Sequence, residues 1–231
     1  MAASAVDAPT GRIVRHRGVL LRILSAVVLG PLLLAAIWFG FPWIDLVAAL
    51  AAPLMISEWL RLTPGRPLVR GLAVVYSLAA LVALLWLRHQ PVHGRETVLW
   101  IVFCIWATDI GAYVVGRTTG GAKLAPRISP GKTWAGLLGG MAWAAVASAV
   151  VGYAFGLGTT IPLAAIGAGL AVVGQIGDLV ESAAKRSAGL KDSGTLIPGH
   201  GGLLDRIDGL IAVLVVVALV RLFVGGGWPW A

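Results

Sequence analysis

Residues 161–180 read IPLAAIGAGLAVVGQIGDLV, an unbroken apolar run with no charge before Asp178. A bilayer's hydrocarbon core, about 30 Å thick, is crossed by roughly 20 such residues in a helix. Peptide groups in lipid must be satisfied internally, and continuous rather than alternating apolar character excludes barrel strands, so this stretch reads as a membrane helix. Comparable runs lie on either side, and the spans predicted are 22–39, 43–60, 68–87, 98–116, 134–155, 161–180 and 209–224. Of 231 residues, 58% are hydrophobic and 12% charged, against roughly 25% charged in soluble domains. The expected fold is an all-α polytopic membrane protein of about seven transmembrane helices, a single integral-membrane domain over 1–231 with a basic segment at 1–21.

The net charge of +8 would suggest a nucleic-acid partner in a soluble protein. Here the cations flank apolar runs, which points to the bilayer and its anionic lipids instead, with no nucleic acid. Residues 11–22 are basic and lead into an apolar run too long for a signal peptide and followed at once by another, so it reads as a retained first helix. With the N-terminus in the cytoplasm, 15 of the 18 Lys and Arg residues fall on the cytoplasmic side, leaving Arg88, Arg95 and Arg221 opposite. The positive-inside rule supports that topology. It places two rich loops, 117–133 and 181–208, in the cytoplasm, where nucleotides are. Trp43, Trp59, Trp134 and Trp228 sit at predicted span ends and read as an interfacial belt. The lone cysteine, Cys104, excludes a disulfide framework and a cysteine zinc site, and is expected to pack between helices.

Five of the ten acidic residues, Asp178, Glu181, Asp192, Asp205 and Asp208, fall within 31 positions, interleaved with Lys185, Arg186, Lys191, His200 and Arg206. Asp178, Glu181, Ser182 and Lys185 have the spacing of one helical face. Asp205 and Asp208, three apart, would share a face on a helical entry to the last span. Carboxylates without cysteine suit Mg²⁺, which takes one or two of them and completes its shell with water and phosphate oxygens. A single such acid would read as a snorkelling charge at a loop boundary. Between these edges, residues 197–202 (IPGHGG) could cradle phosphate through glycine amides, with His200 donating to phosphate, relaying a proton or fixing the loop. Asp109 stands mid-run, where an ionised carboxylate is costly unless paired or hydrated. Two readings stay open for it: a polar cavity reaching the site, with Tyr113 one turn on, or a helix contact to a buried cation or hydroxyl. Upstream, KLAPRISPGKT at 123–133 offers three cations ahead of a helix start. Its GKT triplet is no Walker A loop, because Pro126 replaces the required glycine and a membrane helix precedes it. Lys132 and the amides opening the next helix could still attract phosphate.

SAAKRSAGLKDSGTLIPGHGGLLDRID, at 182–208, closely resembles the signature of the phosphatidate cytidylyltransferase (CDP-diacylglycerol synthase) family, as do GDLVES at 177–182, WATDIGAYVVGR at 106–117 and KLAPRISPGKTW at 123–134. The matching positions include Ser182, Lys185, Arg186, Lys191, Asp192, Pro198, His200, Gly201, Gly202, Asp205, Arg206 and Asp208. The resemblance makes 106–209 the half that bears the chemistry. It implies a multi-pass enzyme of the bacterial-type inner (plasma) membrane that makes CDP-diacylglycerol and pyrophosphate from CTP and phosphatidic acid for phospholipid biosynthesis. It implies Mg²⁺ at Asp178 and Asp205, with a second cation such as K⁺ and a homodimer as open questions. Lys185, Arg186, Lys191 and Arg206 would then hold phosphates and headgroup, with Lys132 assisting, and Asp192 and Asp208 would orient those cations. Ser182, Gly201, Gly202 and Asp109 would complete the substrate-binding set. The chain departs from the family in looking short and in carrying Ala135 where glutamate or glutamine is common. Two other functions fit parts of the pattern: an anionic-lipid or ion transporter with Asp109 on its pathway, and a CTP-dependent transferase with another lipid acceptor.

Overall fold

A computed structural model describes residues 25, 27–196 and 201–224. Seven helices and one short hairpin make up the described chain: α1 (Val27–Phe39), α2 (Trp43–Leu62), α3 (Pro67–Arg88), α4 (Gly94–Thr119), β1 (Lys123–Ala125), β2 (Ser129–Thr133), α5 (Trp134–Ala154), α6 (Thr160–Ser187) and α7 (Leu204–Val224). Helices α2 to α7 are each long and apolar enough to cross a membrane, and the protein is an all-α, multi-pass membrane protein. The first predicted span begins among residues outside the description. Its described part is α1.

The structure departs from the predicted spans mainly at their polar ends. α6 runs seven residues past 180, and α7 starts five before 209. Hydropathy falls there, yet the backbone goes on bonding helically because the charged side chains sit on one face and pair with each other. Residues 123–133, predicted as a loop, form an antiparallel hairpin in which Lys123 faces Thr133 and Ala125 faces Ser129. Pro130 and Gly131 break the alternation that would have marked β2 as a strand.

α5 packs along α4 and α6, and α6 along α7. Small residues let the backbones approach, as membrane helix interfaces require. At Gly177 a Cβ would lie 2.7 Å from the Asp208 carbonyl oxygen, so glycine there sets how closely α6 and α7 meet beside their acids. One core gathers residues of α1, α2, α3, α4, α6 and α7, including Ile37, Ile44, Leu87, Trp100, Leu163 and Val213. A second joins α2, α3 and α7 through Met55, Trp59, Ala80, Leu204 and Ile211. Trp59 is therefore not interfacial as expected: it is buried, its indole N–H donating to Ser77 Oγ at 2.7 Å. Trp43 and Trp134 are exposed, and Trp228 lies outside the described residues. Cys104 is free and fully buried in the first core.

Candidate functional site

The final turns of α6 and the first turns of α7 meet with their acids facing. Carboxylate oxygens of Asp178, Glu181 and Asp208 all lie within 4.8 Å of one another. Asp178 accepts from Ser182 Oγ at 3.1 Å. Glu181 is 4% exposed, and its Oε1 is buried with no hydrogen-bond partner among the described residues. Its Oε2 accepts from Lys185 Nζ at 2.8 Å, and the same ammonium donates to Asp205 Oδ1 at 2.6 Å. Asp205 stands apart from the three-acid cluster. Its Oδ2 accepts from Ser193 N and Gly202 N at 2.8 Å and from Ser193 Oγ at 2.9 Å.

The hairpin brings a second cation from below α5. Lys132 Nζ pairs with Asp178 Oδ2 at 2.5 Å, and the other N–H groups of this buried ammonium have no acceptor among the described residues. Thr133 caps α5, accepting from Gly136 N at 3.0 Å, which takes up one of the amides the sequence left open to phosphate. Arg186 donates to the carbonyls of Ile128, at 3.2 Å, and Leu190, at 3.1 Å, and so clasps the hairpin turn to the end of α6.

Four carboxyl groups thus face two ammonium groups, an excess of acid that suits a cation. The unpartnered Glu181 oxygen inside a three-carboxylate cluster is the feature that a bound metal ion would satisfy. Around this centre Lys191, Asp192 and Arg206 are exposed. Asp208, expected to orient a cation, lies among acids instead. Asp109 is exposed on α4, without a hydrogen bond or ion pair to any described residue, and the charges it faces are Asp178, Lys132 and Arg206. Gly201 and Gly202 return the loop to α7, whereas His200, with residues 197–199, lies outside the described residues.

Sequence reasoning missed Glu58. This acid of α2, 4% exposed, accepts from Leu203 N at 2.7 Å and from Leu204 N and Ser193 Oγ at 2.8 Å. It stood inside a predicted span, 43–60, and isolation in an apolar run was the available signal. Residues 67–224 match the model of the Cytidylyltransferase family. The chain belongs to this family. The match takes in every site residue described above except Glu58. Phosphatidate cytidylyltransferase of Brucella suis is 40% identical over 178 residues, which are 76% of this chain and 64% of the Brucella protein. That of Rickettsia bellii is 36% identical over 209 residues, 87% of this chain and 90% of the relative. That of Pseudomonas aeruginosa is 40% identical over 200 residues, covering 86% and 71%. The chain thus spans less than two thirds of the Brucella relative and most of the Rickettsia one.

Proposed function

We propose that this protein transfers the cytidylyl group of CTP to phosphatidic acid, releasing pyrophosphate and forming CDP-diacylglycerol. The observation that carries the reading is a pair of incompletely satisfied groups on one cluster: Glu181 Oε1, a buried acceptor crowded by the carboxyl groups of Asp178 and Asp208 with no hydrogen-bond partner among the described residues, and Lys132, paired with Asp178 but with its other N–H groups lacking an acceptor among those residues. One calls for a cation and the other for anionic oxygens, which a metal-bound phosphate supplies together. The relatives' names give the acceptor, phosphatidic acid.

A phosphate oxygen of the lipid attacks the α-phosphorus of CTP. A bond forms between them, the bond from the α-phosphorus to the bridging oxygen breaks, and that oxygen leaves with pyrophosphate. No protein nucleophile is needed, so the side chains act by positioning and charge. Asp178, Glu181 and Asp208 would hold a divalent cation, Mg²⁺ by the all-oxygen donor set. Asp205 is proposed as a further carboxylate of the centre, its Oδ1 coming free when Lys185 turns to a phosphate. The metal, when bound, supplies screening between two anionic reactants and stabilisation of the leaving group. Lys132 reaches phosphate oxygens from the hairpin, while Lys191 and Arg206 receive the headgroup at the rim. Ser182 holds Asp178, and Arg186 holds the hairpin. Asp192, Gly201 and Gly202 are proposed to bind substrate from the segment ahead of α7. This end of the bundle is read as cytoplasmic, in a bacterial inner membrane, from the bias of Lys and Arg toward it.

The test is purified protein with labelled CTP and phosphatidic acid. Asp178→Asn and Asp205→Asn are expected to lose at least about 100-fold in kcat, and folded variants retaining the wild-type rate would sink the metal assignment. Competition among lipid acceptors separates phosphatidic acid from an alcohol or isoprenoid phosphate.

A further inference from the structure

Glu58 lies nine residues ahead of the segment matched by the family model. No cation pairs with it among the described residues. Its carboxylate is instead satisfied by Leu203 N, Leu204 N and Ser193 Oγ. Two of these donors are amides at the start of α7, groups that a helix leaves open and that an oxygen acceptor normally caps from the preceding residue. The preceding residues, Gly201, Gly202 and Leu203, have no side-chain oxygen. The cap therefore comes from another helix, more than 140 positions away in sequence.

The backbone has folded tightly around this carboxylate. A Cβ on Gly202 would lie 2.1 Å from Ser193 Oγ and 2.6 Å from the Glu58 carboxylate, and one on Gly194 would lie 2.9 Å from Glu58 Oε1. Ser193, fully buried, places its hydroxyl between Glu58 Oε2 and Asp205 Oδ2, at 2.8 and 2.9 Å. Asp205 in turn holds Lys185, and Lys185 holds Glu181. A continuous line of polar contacts runs from α2 to the acid cluster. An apolar residue at position 58 would suit a membrane helix better, since a buried carboxylate there is costly. It would also leave the amides of Leu203 and Leu204 without their acceptor.

We propose that Glu58 is a positioning residue for cytidylyl transfer, holding the loop before α7 on α2 so that Asp205 and Lys185 stand at a fixed distance from Asp178, Glu181 and Asp208. The inference rests on the proposed function and adds to it a residue outside the family match. Glu58→Gln keeps the side-chain length but has one acceptor oxygen where three donors converge on two. Ser193→Ala removes only the hydroxyl that links Glu58 to Asp205.

Wild type and both variants are purified in detergent, and rates are measured over ranges of CTP, phosphatidic acid and Mg²⁺, with thermal melting in parallel. Glu58→Gln is expected to lower kcat roughly 10- to 100-fold, the scale of a small misplacement of reacting groups. It should also raise the Mg²⁺ concentration for half-maximal rate severalfold. A mere loss of folded protein would lower the rate and leave that half-saturation unchanged. Ser193→Ala should shift both in the same direction, and the double variant should fall short of the product of the single effects, as for groups acting in one network. If Glu58→Gln does not survive purification, Ser193→Ala decides alone. An active wild type with wild-type kcat in the variants overturns this inference only, as does a rate loss matched by folded fraction at unchanged Mg²⁺ half-saturation. A wild type that forms no CDP-diacylglycerol overturns the proposed function and this inference with it.

Discussion

Lys132 and Asp109 meet the same cluster in opposite ways. Lys132 pairs with Asp178, and its other N–H groups have no acceptor among the described residues. Lys132→Ala is therefore expected to cut kcat/KM for CTP about 100-fold, the scale of losing one preorganised charge. Its ion pair with Asp178 is only 17% and 30% exposed on the two side chains, so removing the lysine leaves a partly buried carboxylate without its partner, and the melting midpoint should fall along with the rate. Asp109 has no hydrogen-bond or ion-pair partner among the described residues, and the charges it faces are Asp178, Lys132 and Arg206. Asp109→Asn should keep stability within about 0.5 kcal/mol and lower the rate about tenfold, within the range of a single electrostatic contribution. Steady-state kinetics and melting of the same preparation check both. Glu58 shows where residue-level reading stops. Like Asp109 it is a lone acid in an apolar run, but it lies close to a predicted span end, where a carboxylate can reach water. Only the return of α7 over α2 reveals that it is sealed in, and no spacing in one segment encodes a contact with another 135 positions away.

Among the elements, the helices were legible because a bilayer imposes one length and one composition on each crossing. Their ends were not, since a helix continues as long as its backbone bonds are made, and α6 carries Glu181, Ser182 and Lys185 beyond its apolar part on one face. That face was legible from spacing alone. The hairpin was not: β1 and β2 are short, interrupted by proline and glycine, and held from outside by Arg186. Thr133→Ala removes the α5 cap and should lower stability by about 1 kcal/mol, read as a lower melting midpoint. Gly177→Val places a Cβ 2.7 Å from the Asp208 carbonyl. Overpacking of this kind costs about 1–3 kcal/mol, and by parting α6 from α7 it should lower activity as well. Gly169→Ala, on the same helix with open space at that position, is the control and should leave both unchanged.

At the scale of the whole molecule, the described Lys and Arg residues gather at the end that carries the site. The lone Cys104 is buried, so single cysteines introduced at Lys123 and Gln90 can be labelled over a quiet background. Intact inverted vesicles should label position 123 and leave position 90 unreacted with an impermeant reagent; the reverse pattern would overturn the cytoplasmic placement. The contact between Glu58 and Ser193 carries a consequence for biosynthesis. A ribosome adding roughly 10 residues per second needs about ten seconds or more to pass from one to the other. Throughout that interval the glutamate waits without its three donors, which arrive with Ser193 and the start of α7. The contacts around Glu58 therefore form only once α7 has begun to emerge, and a nascent chain stalled before Ser193 should stay open to proteolysis at the end of α2.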